Sequence, residues 1–243
     1  MKFGLYIFLL FFLTGCKSES ENKILKNSVV DSLDSKIELN IDNQCIIITD
    51  TIKINNKQFI KNENNDRFYC LLSIDGDTIV KAQNFYHSIE ILDINEDGYQ
   101  DIRISIISNT PNQCDNYLFN NQVKKFIQIE NCGLDIQKIT GTDFYYSYLH
   151  AGCSDQNWKS YLYKIKNYKL IEYGYIFGQG CDFNIEDNPQ IIEIYKINSY
   201  NSNEEILIKK LPYKKYINKY NDKFTFIKKY WSENCKTYNQ FYE

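Results

Sequence analysis

The chain has 243 residues, of which 43% are hydrophobic and 24% charged. Enough apolar surface is present to offset the chain entropy, which excludes a protein that is disordered throughout. Ten glycines and three prolines exclude collagen-like and proline-rich classes, and the net charge of −3 gives no general attraction to nucleic acid.

The N-terminus is predicted to be a bacterial lipoprotein signal. Lys2 supplies a positive charge, and an apolar run over residues 4–13 follows that is too short to span a bilayer. The run ends in Leu13-Thr14-Gly15-Cys16, which has the pattern of a lipobox, in which Cys16 is acylated and becomes the first mature residue. We therefore expect a signal peptide over 1–15 and an outer-membrane lipoprotein of the cell envelope, facing the periplasm or the cell surface. The alternative is an ordinary signal peptide followed by a chance cysteine.

A polar, acidic segment follows, and residues 16–36 are predicted to be an acylated tether. The remaining residues, 37–243, are predicted to form one β domain, because short runs of β-branched and aromatic residues alternate with polar turns. Asn55-Asn56 and Asp75-Gly76 are predicted to be hairpin turns. The expected fold class is all-β, an antiparallel β-propeller-like or related multi-hairpin domain. Near the end of the chain, Tyr213–Tyr220 is predicted to be the single helix and Phe224–Trp231 a strand.

Seven cysteines follow Cys16, and an exported chain with this many usually carries disulfides. In two predicted hairpins a cysteine lies at the start of one strand and another at the end of the returning strand. This placement predicts the pairs Cys114–Cys132 and Cys153–Cys181, with Cys45–Cys70 as a weaker third pair and Cys235 left over. The alternative is that several of these cysteines are reduced and buried as small hydrophobic residues.

One segment has the spacing of a calcium-binding loop. Oxygen-bearing side chains occupy loop positions one, three, five and nine, namely Asp93, Asn95, Asp97 and Asp101. Gly98 at position six permits a tight turn, and the carbonyl of Tyr99 at position seven supplies a further oxygen. Position twelve is Ile104 rather than the bidentate Glu of an EF-hand, and the flanking segments are predicted strands. The alternative is a plain Asp-Gly turn between two strands.

This loop and the segments after it resemble a known family. Asp93–Ile104, Tyr117–Asn120 and Val123–Phe126 are similar to exported bacterial calcium-binding β-propeller-like proteins with FG-GAP or VCBS-like loops, over about residues 85–180. Members of that family inhibit lysozyme-like peptidoglycan hydrolases, some as immunity proteins. The resemblance implies Ca²⁺ as the bound ion, held by the five loop residues, and a peptidoglycan hydrolase or another envelope protein as the partner. The alternative is a calcium-stabilised surface module that binds glycan or another envelope component and inhibits nothing.

No catalytic constellation is expected, so the chain is predicted not to be an enzyme. His87 and His150 are far apart in sequence, and a Cys153–His150 catalytic pair is less plausible than a structural role for both residues. A tyrosine-rich region is either a binding surface or a core, and it comprises Tyr145, Tyr148, Tyr161, Tyr163, Tyr173 and Tyr175. From 205 to 236 there are nine lysines and three acidic residues, which indicates either a basic binding face or solvated edge strands.

Overall fold

The computed structural model describes residues 36–39, 46–64, 69–82, 86–183, 189–198 and 204–241. The predicted signal peptide, Cys16, the tether up to residue 35 and Cys45 lie outside these residues, so the predictions made for them stay predictions. Within the described ranges, no helix is long and apolar enough to cross a membrane.

The first sheet is an antiparallel meander of five strands. Its strands are β1 (Lys36–Leu39), β2 (Ile46–Ile54), β3 (Lys57–Asn64), β4 (Tyr69–Ser73) and β5 (Thr78–Ala82). Asn55 and Asn56 turn between β2 and β3 with φ of 51° and 61°, and Gly76 turns between β4 and β5 with φ of 91°. Such left-handed turn residues match the twist of the flanking strands, and both predicted hairpins are confirmed.

The second sheet is an antiparallel meander of four strands. Its strands are β6 (Tyr86–Leu92), β7 (Asp101–Ile106), β8 (Cys114–Asn120) and β9 (Lys125–Gln128). It shares an apolar cluster with the first sheet, because Ile102 and Ile104 of β7 are buried against Ile54 and Leu71. The two meanders therefore pack as neighbours through one core.

The third sheet has seven strands in the order β10-β11-β13-β14-β15-β16, with β12 also paired to β13. The strands are β10 (Gln137–Lys138), β11 (Phe144–Tyr146), β12 (Leu149–His150), β13 (Asn157–Lys166), β14 (Lys169–Gln179), β15 (Ile191–Asn198) and β16 (Glu204–Pro212). Every pairing between its strands is antiparallel. The all-β, multi-hairpin class predicted from the sequence is confirmed.

Two α-helices follow the last strand: α1 (Tyr213–Tyr216) and α2 (Asp222–Asn234). The predicted helix over Tyr213–Tyr220 thus forms only one turn. The strand predicted over Phe224–Trp231 is wrong, because this segment lies inside α2. Its buried residues, Lys223, Ile227 and Trp231, recur every four positions, which is the spacing of one helix face.

Helix α2 covers one face of the third sheet. Trp158 and Leu162 of β13 are fully buried in the same cluster as Trp231, whose indole Nε1 donates to Ser160 Oγ at 2.8 Å. On β14, a Cβ at Gly178 would lie 2.2 Å from the Trp158 ring, so only glycine lets this ring lie flat on the sheet. Side chains along β13 alternate between the two faces of the sheet. One face therefore packs under α2, and the other faces the second sheet and solvent.

Candidate functional site

The predicted calcium loop connects β6 to β7. Glu96 and Gly98 adopt left-handed φ values of 54° and 87°, which fold the segment back on itself. The amide N–H of Asp97 donates to Asp93 Oδ1 at 3.1 Å and to Asn95 Oδ1 at 3.2 Å. Asn95 Nδ2 in turn donates to Asp97 Oδ2 at 2.9 Å. The side chains at positions one, three and five therefore converge, as the sequence predicts.

Asp101 is held by two hydrogen bonds from backbone amides. Its side chain is fully buried, its Oδ2 accepts from the Ile94 amide and its Oδ1 accepts from the Phe119 amide, both at 2.8 Å. Burial, and secondarily the charges of Asp97 and Asp93, raise the pKa of the Asp101 carboxyl to about 6.

In the part of the chain that the structure describes, no three His, Cys, Asp or Glu side chains form a group suited to a metal. Asp101 ties the loop to β8, and its predicted role as a further ligand stays a prediction. The exposed carboxylates of Asp93 and Asp97 and the amide oxygen of Asn95 are hard oxygen donors, the type that Ca²⁺ prefers. The ring of Tyr99 packs on Phe119, and the role of its carbonyl stays a prediction.

The loop is bonded to both of the other sheets. Asn55, in the β2–β3 turn, accepts from the Gln100 amide at 2.6 Å and donates to the Gln100 carbonyl at 2.8 Å. On the other side, Lys138 Nζ donates to the Asn95 carbonyl, and Thr140 Oγ1 donates to Glu96 at 3.0 Å. A change in the shape of this loop would therefore reach all three sheets.

The predicted disulfide Cys153–Cys181 is confirmed, with a Cα–Cα distance of 5.7 Å. Because Cys153 is bonded to Cys181, it has no thiol, and the Cys153–His150 nucleophile pair is excluded. The disulfide fixes a loop in which three successive non-glycine residues, Cys153, Ser154 and Asp155, have φ of 52°, 48° and 69°. Such residues persist only where the surroundings hold them, and they cluster at functional sites. We call residues 152–156 the clamped loop.

A buried ion pair holds the clamped loop from the other side. Lys223 of α2 is 1% exposed, and its amine lies 2.5 Å from Asp155 Oδ2 and 2.9 Å from the Asp155 carbonyl. Tyr148 donates its hydroxyl to Asp155 Oδ1, and His150 Nδ1 lies 3.1 Å from the same oxygen. Burial opposes ionisation of Asp155, but the hydrogen bonds from Lys223 and Tyr148 outweigh it and lower the pKa of the carboxyl. No sequence signal joins Asp155 to Lys223, because 68 residues separate them.

A cavity of about 380 Å³ lies beside the clamped loop. Its wall combines the loop with the segment from α1 to the start of α2, and includes Lys214, Lys219 and Tyr220. Gln190 Oε1 also lines it and is buried without a hydrogen-bond partner. Lys214 and Lys219 are exposed, and Asp182 in the same wall pairs with Lys214 at 3.5 Å, so the rim of the cavity keeps a small net positive charge beside the clamped loop.

The structure divides the predicted tyrosine cluster between two environments. Tyr148 and Tyr173 pack in the core under α2, and Tyr145 packs with residues of the second sheet. By contrast, Tyr161 and Tyr175 are paired on β13 and β14 on the face that points away from α2. Tyr163 lies beyond a β-bulge on the same strand, and its ring stacks on Tyr161 at 5.9 Å. The binding-surface interpretation therefore applies only to the second group.

The predicted disulfide Cys114–Cys132 is not formed. Cys114 and Cys132 are buried free thiols on either side of Asn116. The Asn116 Nδ2 lies 3.4 Å from the Cys114 sulfur and 3.1 Å from the Cys132 sulfur. The hairpin brings the two cysteines together, as predicted, but the Asn116 amide lies between them. Burial raises the pKa of Cys114 to about 12 and that of Cys132 to about 11, so both stay protonated. Cys70 is likewise buried, and the Cys45–Cys70 pairing stays a prediction because Cys45 lies outside the described residues.

No protein-family model matches the chain, and no curated protein matches it. One solved structure that is similar is described as "Structure of a Xanthomonas Type IV Secretion System related protein", with 14% sequence identity and a TM-score of 0.38. The similarity covers 72% of this chain and 98% of that one. At this TM-score, the likeness carries no argument about the present chain.

Proposed function

We propose that the chain is a calcium-stabilised lipoprotein of the bacterial envelope, anchored through Cys16, that binds and inhibits a peptidoglycan hydrolase. The observation that carries the inhibitory role is the clamped loop, which is rigid and lies beside a positively charged cavity rim. The family resemblance of the calcium loop supports the same class. In this proposal the chain acts by occupying the hydrolase and catalyses nothing.

The rigidity of the clamped loop suits an inhibitor. Each of its three left-handed residues costs on the order of 1–3 kcal/mol, so the conformation needs support from its surroundings. The disulfide holds Cys153, and the amine of Lys223 holds Asp155. A loop that is already ordered loses little conformational entropy on binding, which favours tight association with a cleft. Ser154 is exposed at the middle of the loop, where a partner would meet it.

The charge of the surrounding segment suits the proposed target. Between 205 and 236, eight of the nine lysines are exposed, and only Lys223 is buried. Glycoside hydrolases that cleave the peptidoglycan backbone generally act through two carboxyl groups that flank the scissile bond. A basic surface is complementary to such a cleft, and this complementarity raises the rate of encounter and fixes the orientation of the partner.

Calcium has a structural role in this proposal. We propose that Asp93, Asn95, Asp97, Asp101 and the Tyr99 carbonyl hold the ion, with water completing the six to eight oxygens that it needs. The ion would offset the repulsion between the two exposed carboxylates. Since the loop is bonded to all three sheets, its occupancy would stabilise the whole domain.

The calcium site is tested by thermal unfolding in Ca²⁺ and in EDTA. At a free Ca²⁺ concentration 100 times the dissociation constant, the domain should gain about 2.7 kcal/mol. Asp97→Ala should abolish this response with little effect in EDTA, because Asp97 is exposed. Asp101→Ala should instead destabilise the protein in both conditions, because it leaves two buried amides without an acceptor. An unchanged melting temperature for metal-free protein with and without Ca²⁺ would refute the site.

Inhibition is tested by following the lysis of suspended cell walls by a panel of muramidases, with the protein present. Lys219→Glu, at the cavity rim, should weaken inhibition, whereas Lys229→Glu, exposed on α2 and outside the cavity wall, should change it little. Chelation of Ca²⁺ should also weaken inhibition. If no muramidase is inhibited by a folded, calcium-loaded protein, or if both variants behave alike, the proposal is wrong.

A further inference from the structure

The face of the third sheet that points away from α2 carries a groove of about 650 Å³. We propose that this groove is a binding site for a neutral oligosaccharide. The groove is lined by Lys159, Tyr161, Tyr163, Glu172, Tyr175 and Glu205, and we call it the aromatic groove. It lies on the opposite side of the sheet from the helix-side core, and its ligand does not depend on the proposed hydrolase inhibition.

A row of tyrosine rings begins in the floor of the aromatic groove and continues beyond it. Tyr161 on β13 lies 6.0 Å from Tyr175 on β14, and Tyr175 stacks at 4.6 Å and 18° on Tyr195 of β15, which lies outside the groove lining. Because the faces of Tyr175 and Tyr195 cover each other and Tyr175 is buried, the row presents mainly ring edges and hydroxyls to the groove. These edges and hydroxyls suit the C–H and hydroxyl groups of a sugar.

One wall of the groove is fixed by hydrogen bonds between backbones. The Glu130 amide donates to the Tyr168 carbonyl at 2.7 Å, and the Leu170 amide donates to the Glu130 carbonyl at 3.0 Å. These bonds hold Asn131 at the rim of the groove, beside the start of β14. A concave, largely preformed site with aromatic walls and a few polar groups is the usual form of a small-ligand site.

The charges in the groove favour a neutral, hydroxyl-rich ligand. Glu205 accepts the Tyr175 hydroxyl at 2.7 Å. Burial, and then the neighbouring charge of Glu205, raise the pKa of Glu172 to about 7, with Lys159 acting in the opposite direction. The amine of Lys159 lies 5.1 Å from the Tyr175 and Phe177 ring centres. The two carboxyl groups are offset by two lysines in the lining, Lys159 and Lys169, so the groove has little net charge, and its carboxyl and amine groups can form hydrogen bonds with sugar hydroxyls.

The test is isothermal titration of the full mature protein with neutral oligosaccharides, using a β-1,4-linked N-acetylglucosamine pentamer and a β-1,4-linked glucose pentamer. We expect at least one of them to bind. Tyr161→Ala and Glu205→Gln should each weaken that binding by about tenfold or more. Tyr216→Ala is the matched control, because Tyr216 is exposed and lies outside both the groove and the cavity beside the clamped loop, and it should leave binding unchanged. Circular dichroism and melting temperature confirm that each variant is folded.

Several results would overturn the assignment. The proposal is wrong if neither pentamer binds to the folded protein, or if binding persists in both groove variants. Binding of a sulfated polysaccharide in place of the neutral pentamers would also contradict it, because a lining whose carboxyl groups offset its lysines gives no preference for a polyanion. The assay contains no hydrolase, so its failure leaves the proposed inhibition untouched, and loss of inhibition leaves the groove untouched.

Discussion

Removal of the Lys223 amine should be among the most destabilising single changes in the domain. In Lys223→Met, the side chain keeps most of its volume, but the largely buried Asp155 carboxylate loses its cationic partner. Breaking a buried ion pair from one side costs about 3–5 kcal/mol. Tyr148 and His150 still contact Asp155, so we expect a loss near the lower end, about 3 kcal/mol.

Urea unfolding with the disulfide intact, followed by tryptophan fluorescence, measures this loss, because Trp158 and Trp231 are buried in the core that α2 covers. For a domain of this size, about 3 kcal/mol corresponds to a fall in melting temperature of about 6–12 °C. Lys228→Met is the control, since Lys228 is exposed on the same helix and its change should stay within about 0.5 kcal/mol.

A double-mutant cycle separates the ion pair from general packing. In the Asp155→Asn background, Lys223→Met should cost much less, because no carboxylate is left without a partner. The loss should also shrink in acid. Asp155 has a lowered pKa in the folded state, so its pair with Lys223 contributes stability above the unfolded pKa of about 3.9, and that stability is lost as the pH falls through the folded pKa. A loss under about 1 kcal/mol, or an equal loss in the Asp155→Asn background, would refute the reasoning.

Three further predictions concern other parts of the chain. Replacement of Cys153 and Cys181 by serine should cost about 3–4 kcal/mol, from the 28-residue separation in the chain-entropy model, and an unchanged urea midpoint would contradict it. Glu172 has its pKa raised from 4.5 to about 7, so stability should fall as the pH rises from 4.5 through 7, by on the order of 2 kcal/mol. Glu172→Gln should flatten this part of the pH profile, and a profile that keeps its slope would show another group to be responsible. Finally, Cys16→Ser should block acylation and leave the protein unprocessed or mislocalised, whereas a mature N-terminus elsewhere than Cys16 in the unaltered protein would exclude the lipid anchor.

Local patterns predicted the strands and turns well. The Asn55-Asn56 and Asp75-Gly76 turns are recognisable because their residue types tolerate left-handed backbone at little cost. The helix α2 was missed for a specific reason. Its Phe, Thr, Ile and Tyr residues favour strands, and this preference outweighed the four-residue spacing of Ile227 and Trp231 that marks a helix face.

The site was predictable only where its partners lie close in sequence. The convergence of Asp93, Asn95 and Asp97 follows from a repeat within five residues. The hydrogen bond from the Phe119 amide to Asp101 was not predicted, because Phe119 lies on another strand and no local pattern reveals the contact. Similarly, the cysteine spacing placed Cys114 beside Cys132, but it gave no sign of the Asn116 amide between them.

The position of α2 in the chain has a consequence for the order of folding. The apolar cluster shared by the first two sheets consists of residues between 52 and 126. Because the chain is made from its N-terminus, all of these residues are present early. The face of the third sheet around Trp158 finds its cover only when Ile227, Trp231 and Tyr238 arrive. Until then a large apolar surface stays open, of the kind that chaperones bind and that leads to aggregation. During folding, therefore, the last stretch of chain closes the fold, and a chain that stops before residue 222 would present this surface to proteases.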